Sequence, residues 1–154
     1  NTAEIAQAIA ASLGQRHQVT AVRIEEASQE QLQNFDVLFV GSPTRGFAPS
    51  EKIAAFLKQI PLNSLAGLNA AVFDTRIPLE DMRPALLRFM QKRAGYADVK
   101  IAAMLKLTGA RLLQPTGGFH VAASEGPLKE GERERAAVWA ESLLPDQAGS
   151  RPVA

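Results

Sequence analysis

Apolar, strand-like runs that alternate with helix-spaced segments predict an open α/β domain on a parallel sheet. Residues 36–41, Asp-Val-Leu-Phe-Val-Gly, form an almost unbroken apolar run, as a strand covered on both faces does. Residues 69–74 do the same around Ala-Ala-Val-Phe. Around both runs the apolar residues recur at helical spacing, and a regular helix–strand alternation builds a parallel sheet with helices on both faces.

In chain order, Ile5, Ala6, Ile9, Ala10 and Leu13 mark one face of a first helix that Gly14 ends, with Thr2 as N-cap or Asn1 in its place. Residues 18–24 alternate through Val19 and Ile24 and read as a short strand, and residues 27–34 as a polar helical turn carrying Leu32. After the 36–41 strand, residues 42–50 form a Gly/Pro/Ser-rich loop, and residues 51–59 a helix with Ile53, Ala54, Phe56 and Leu57 inward. Past Pro78 a helix in two pieces splits near Gly95, with Leu86, Leu87 and Met90 in the first and Ile101, Met104, Leu105 and Leu107 in the second. Residues 111–114 and 119–122 read as short strand pieces around Pro115-Thr116-Gly117-Gly118. Residues 130–144 form the last helix, with Ala136, Trp139, Ala140 and Leu143 inward. The domain is expected over residues 1–144, with 145–154 as a flexible tail. Because a parallel α/β sheet normally places a strand before its first helix, about ten further residues are expected upstream of Asn1.

The bulk numbers exclude several function classes. No cysteine occurs among the 154 residues, which removes disulfides, thiolate metal sites and Cys nucleophiles and fits a cytoplasmic protein. Seventeen Lys and Arg against sixteen Asp and Glu leave a net charge of +1, so no basic excess points to nucleic acid. No apolar run approaches the ~20 residues of a membrane-inserted span. His17 and His120 have no partner at catalytic or metal-ligand spacing, and no catalytic or metal residue is assigned. The charged run 129–135 reads as a solvated helix start, its glutamates suiting the positive end of the helix dipole.

Ligands of open parallel sheets bind at the carboxyl ends of the strands. Three segments reach that edge. Asn1-Thr2 opens the first helix, where free N–H groups suit a phosphate, although a simple cap is the commoner use of such residues. Gly41-Ser42-Pro43-Thr44-Arg45-Gly46 combines two glycines with a proline, giving either a rigid amide-lined loop for a flat heterocycle or an ordinary strand-to-helix turn. Asp74-Thr75-Arg76 either lines the polar side of the same ring or holds an ion pair near solvent.

Together these loops resemble the flavodoxins. Asn1-Thr2 is similar to the end of the family's phosphate loop, residues 40–46 to its second loop, and Phe73-Asp74-Thr75-Arg76 to its third. The segment Phe119-His120-Val121, followed by residues 125–132, resembles the ending of many bacterial flavodoxin-like proteins. The resemblance implies a three-layer α/β/α sandwich with a five-stranded parallel sheet in the order 2-1-3-4-5, its first strand lying upstream of residue 1, and one non-covalent FMN. It places Asn1 and Thr2 on the phosphate, Ser42, Pro43, Thr44, Arg45, Gly46 and Phe47 at the ring, and Asp74, Thr75 and Arg76 on the pyrimidine side. Two features depart from shuttle flavodoxins: Phe47 and Ile77 stand where those carry Trp and Tyr, and the chain is not acidic. The implied role is electron transfer with a redox partner protein or small acceptor, with Arg45 or Arg76 raising the flavin potential. An FMN-dependent NAD(P)H:quinone-type reductase and a flavin-free interaction or regulatory module are the alternatives. Oligomeric state is not legible in the sequence.

Overall fold

Two strands of the apolar type predicted above lie side by side at the centre of the fold. A computed structural model of the chain describes residues 1–145 and Val153, so most of the expected tail lies outside the described residues. Strands β1 (Val37–Pro43) and β2 (Asn69–Arg76) pair in parallel over their whole length, from Val37 opposite Asn69 to Pro43 opposite Thr75. Both run two residues further than their apolar cores predict, because the ladder continues through Ser42, Asp74 and Thr75 at the carboxyl edge. Beyond β2 the outer strand is broken in two. β3 (Arg111–Leu112) pairs with Asn69–Ala70, and β4 (Gly117–His120) pairs with residues 73–76.

Helices cover both faces, and the alternation of side chains along the strands divides the core in two. On one face Leu38 and Val40 of β1 with Ala70 and Val72 of β2 meet Ile53 and Leu57 of α3 (Glu51–Lys58) and Ile101 and Leu105 of α5 (Ala97–Leu107). On the other face Val37, Phe73 and Phe119 meet Ile5, Ile9 and Leu13 of α1 (Thr2–Leu13) and Ala136 and Ala140 of α6 (Glu132–Leu143). Trp139 joins this second core through edge-on contacts with Phe39, Phe73 and Phe119, at ring-centroid distances of 5.8, 6.2 and 5.7 Å. Its indole N–H donates to Pro115 O at 2.9 Å, so the polar end of the ring is also satisfied.

Several local expectations are corrected. Asn1, not Thr2, is the N-cap of α1. The polar turn shortens to α2 (Gln29–Leu32), closed by a capping box between Ser28 and Gln31. The helix after Pro78 does split at Gly95, into α4 (Ala85–Ala94) and α5. The second outer piece spans 117–120 rather than 119–122, because Gly117 and Gly118 belong to the ladder with Phe73 and Asp74. Residues 18–24 do not form a strand. Among the described residues their pairing is one parallel bridge, from Val19 to Val153, and residues 24–26 turn into a 3-10 helix. A strand needs a ladder partner along its length, and among the described residues Val153 supplies one residue of it. Val153 also bridges Val37 and is buried, so it sits between Val19 and β1 at the second position of the sheet.

The run 129–135 is not wholly solvated. Glu132 is buried and accepts the His120 backbone N–H at 2.6 Å, while Arg135 donates to the same carboxylate. Burial works against its charge, but Arg135 and the His120 N–H prevail and hold the carboxyl below the usual range. This latch fixes the start of α6 to β4.

Gly41 owes its identity to space rather than to a special backbone angle. A Cβ at this position falls 2.1 Å from the tip of the Phe73 ring, which lies across β1 from the neighbouring strand. Gly41→Ala is therefore expected to destabilise the fold by about 1–3 kcal/mol, the usual cost of overpacking a tight core. The fall in the urea midpoint measures it, and an unchanged midpoint means that Phe73 swings aside freely.

Candidate functional site

The carboxyl ends of β1 and β2 bring the three predicted loops together. Thr2, in the first turn of α1, places its hydroxyl 2.6 Å from the hydroxyl of Thr75 near the end of β2. The loop after β1 reaches the same residue from the other side, the Thr44 N–H donating to Thr75 O at 2.9 Å. Thr75 is thus the meeting point of the helix start and both strand-end loops.

The loop of residues 43–47 is rigid and projects outward. Arg45 and Ala48 exchange both backbone hydrogen bonds, closing a two-residue turn at Gly46 and Phe47. Both turn residues lie in the left-handed region, with φ of +53° and +64°. This is the pattern of a type I′ turn, which normally takes Gly, Asn or Asp. A phenylalanine at positive φ is costly, by about 1–3 kcal/mol, and such outliers persist where the surroundings over-determine them. Here Lys100 of α5 donates to the Phe47 carbonyl and pins the turn from below. The result is a half-buried aromatic ring beside the exposed Arg45 and Gly46.

Other predicted residues face inward. Ser42 is fully buried, and its hydroxyl accepts the Ser50 N–H at 2.8 Å, tying the two ends of the 42–50 loop together. Asp74 is also fully buried. Its Oδ1 accepts from Arg76 Nε at 2.6 Å, and its Oδ2 accepts from Arg76 Nη2 at 2.9 Å, from Thr44 Oγ1 at 3.1 Å and from the Asp98 N–H at 3.1 Å. Asp98 lies 3.2 Å from Arg76 Nη2 and accepts from Thr116 Oγ1 at 2.6 Å. The Thr44 hydroxyl in turn accepts the Ala97 N–H at 2.9 Å. Of the two readings open for Asp74 and Arg76, the ion pair is present, buried rather than near solvent.

Burial pushes the Asp74 carboxyl above its ordinary range, an effect the Arg76 guanidinium partly offsets and the nearby Asp98 carboxylate adds to. Burial also opposes the Arg76 charge, but the two carboxylates outweigh it and hold the guanidinium protonated. Arg76 stacks over the Tyr96 ring at 3.9 Å, and Tyr96 Oη donates to Ile77 O at 3.0 Å. Sequence reasoning did not find Tyr96, Asp98 or Thr116, because residues 18 to 24 positions apart carry no local signal of such a network.

Known structures share this fold. No protein-family model matches the sequence, and no curated protein matches it significantly. Among solved structures, flavodoxin 2 from Bacillus cereus superposes with a TM-score of 0.71 at 23% identity, over 93% of this chain and 89% of that one. Oxidised flavodoxin 1 from the same organism gives a TM-score of 0.70 at 17% identity, over 96% and 92%. The chain has the flavodoxin fold. An NADH:FMN oxidoreductase in its apo form is also similar, more distantly, with a TM-score of 0.59 at 16% identity over 98% and 86% of the two chains.

In flavodoxin-fold terms, the edge at Thr2, Thr44 and Thr75 is the strand-end position where this architecture takes ligands. The residues there fit a flavin mononucleotide in kind. The start of α1 has free N–H groups suited to a phosphate. The Asn1 amide packs against Gly126, where a Cβ would fall 2.5 Å from it, so close backbone approach orients this first residue. Phe47 offers an aromatic face, and Arg45 a cation. Two concavities lie away from the turn. One of about 390 Å³, lined by residues 32–36 and 64–68, opens at the opposite sheet edge, and one of about 270 Å³ lies between Glu4 and residues 127–134. Among the described residues no cluster of His, Asp or Glu is arranged to hold a metal ion.

Removing Arg76 leaves Asp74 and Asp98 without their cation. Arg76→Ala should destabilise the protein by about 3–5 kcal/mol, as loss of one partner of a buried pair does. Asp74→Asn, which keeps an acceptor for Thr44, should cost less. The sign of the pH effect follows from the raised Asp74 pKa. A carboxyl whose folded pKa lies above the unfolded one contributes stability at low pH that is lost as pH rises through the folded value. Arg76→Ala raises Asp74 further, so the variant's stability should improve on acidification from neutral pH toward the ordinary aspartate range. Urea melts across that range test this, and a pH-independent loss below about 1 kcal/mol contradicts the buried-pair account.

Proposed function

We infer that the chain binds FMN at the carboxyl edge of its sheet and carries electrons. The single observation that supports this most is the convergence of Thr2 and Thr44 on Thr75, with a rigid outward turn bearing Phe47 and Arg45 beside it. Bound flavin supplies one- and two-electron chemistry, which the protein tunes by charge and access. In this reading Asn1, Thr2 and the free N–H groups of α1 hold the phosphate. Pro43, Thr44, Gly46 and Phe47 border the ring, with Thr75 behind them, and Ser42, Asp74 and Arg76 keep those loops in place. The Arg76 charge is already balanced by two carboxylates, which leaves exposed Arg45 as the cation able to favour an anionic reduced ring.

A flavin-free module is the reading favoured by one specific observation. Asp74 and Ser42 spend their polar atoms inside the protein, and neither concavity described above is lined by the Gly46–Phe47 turn. Titrating the full chain with FMN separates the two. Saturable, one-to-one quenching of flavin fluorescence is expected, and no quenching sinks the flavin reading.

Phe47→Gly sharpens the test. Glycine accepts the left-handed backbone at position 47, so relief of strain roughly offsets the entropy glycine adds to the unfolded chain. Folding stability should hold or rise, while FMN affinity falls by about tenfold through loss of ring stacking. A variant that binds FMN as tightly as the parent removes Phe47 from the site.

A further inference from the structure

Residues 78–95 leave the sheet edge after β2 and return to it. The base of this excursion is pinched where Tyr96 Oη donates to Ile77 O at 3.0 Å. Neither core cluster draws a residue from positions 77–96. Helix α4, which fills most of the excursion, is nevertheless rich in large apolar side chains, and they face water. Leu86 is 66% exposed, Phe89 61% and Met90 43%. At about 100° per residue these three fall within one arc of about 100°. Gln91, the one buried residue of α4, lies on roughly the opposite side. The helix is inverted relative to a core helix, with a polar side chain toward the body and Leu, Phe and Met outward.

The charges carried by the helix segment itself are of one sign. Arg83, Lys92 and Arg93 are exposed near it, Arg88 is half-buried toward the body, and no Asp or Glu occurs between positions 82 and 97, Glu80 and Asp81 standing just before. Among the described residues none of these four cations is ion-paired, and the preceding acid, Asp81, is engaged by Lys129. Neither concavity described above is lined by a residue of α4.

We propose that α4 is a docking surface for an anionic lipid bilayer. Leu86, Phe89 and Met90 enter the headgroup–acyl boundary while the surrounding Arg and Lys side chains meet the lipid phosphates. This is the behaviour of amphipathic helices that combine Phe and Leu with unpaired cations, and both terms are needed for stable attachment. Among the described residues no helix is long and apolar enough to cross a membrane, so the contact is with the surface. An exposed, apolar-tipped helix segment that carries four cations and no acid matches an anionic surface better than it matches a protein partner, whose interface interleaves both charge signs with hydrogen bonds. The proposal stands apart from the flavin reading, since α4 contributes none of the residues assigned to the ring or the phosphate.

Co-sedimentation of the full chain with vesicles tests it. The protein should pellet with vesicles of equal parts phosphatidylglycerol and phosphatidylcholine, not with phosphatidylcholine alone, and the bound fraction should fall with salt. Leu86→Gln with Phe89→Gln, and separately Lys92→Glu with Arg93→Glu, should each lower the partition coefficient by about tenfold or more. All four side chains are exposed, so the far-UV circular dichroism and the FMN titration should match the parent. Absence of pelleting with anionic vesicles overturns the proposal, as does full binding by the Leu86→Gln, Phe89→Gln variant. Loss in that variant of a concentration-dependent dimer, with vesicles left unbound by the parent, overturns it in favour of a second copy of the chain.

Discussion

The buried Asp74–Arg76 pair is the interaction on which the carboxyl edge of the sheet depends. Asp74 sits at the end of a central strand, where the backbone ladder is about to stop and each loop must find new hydrogen bonds. Its two oxygens accept from Arg76 on the same strand, from Thr44 in the loop after β1 and from the Asp98 N–H at the start of α5. Four segments are joined through two neighbouring carboxylates once Asp98 and Thr116 are included. A network of this kind is costly if half satisfied, because each remaining charge would be desolvated without a partner. No buried side-chain polar atom is left unpartnered among the described residues, which is what allows so much charge beneath a loop edge.

That constraint has a functional corollary. Loops held from beneath by a satisfied network present their outer surface in one geometry, and preorganised surfaces lose less on binding. Thr75 lies between Asp74 and Arg76, so its hydroxyl is carried on the most firmly held stretch of the edge and meets Thr2 there. The Gly46–Phe47 turn stands just outside the network, strained in its backbone and pinned by Lys100. The arrangement divides labour between inward residues that fix position and outward residues that are free to touch a ligand.

Much of this fold was legible in the sequence, and the misses share a cause. The apolar runs of β1 and β2 need no partner to be recognised, since burial on both faces imposes the same composition wherever it occurs. Residues 18–24 carry the alternation of a strand yet, among the described residues, pair at Val19 alone, because strand formation is a property of the pair and not of the segment. Gly41 was correctly noticed, but for backbone freedom, whereas the Phe73 ring from the next strand is what excludes a side chain there. Helical spacing in α4 was likewise legible, although a periodic stripe does not reveal whether it faces the core or water. At the edge, residue types identified the three loops that meet. Their side-chain directions, Ser42 and Asp74 inward and Phe47 outward, depended on Ser50, Asp98 and Lys100, which no local pattern links to them.

The central claim is that the edge organised around Asp74 is where FMN binds. Backbone amide shifts recorded while FMN is added to the isotope-labelled chain test it residue by residue. The account predicts saturable shifts at Thr2, at Thr44 to Phe47 and at Thr75, with residues 64–68 at the opposite edge unmoved. Shifts confined to residues 32–36 and 64–68, or none at saturating FMN, would contradict it.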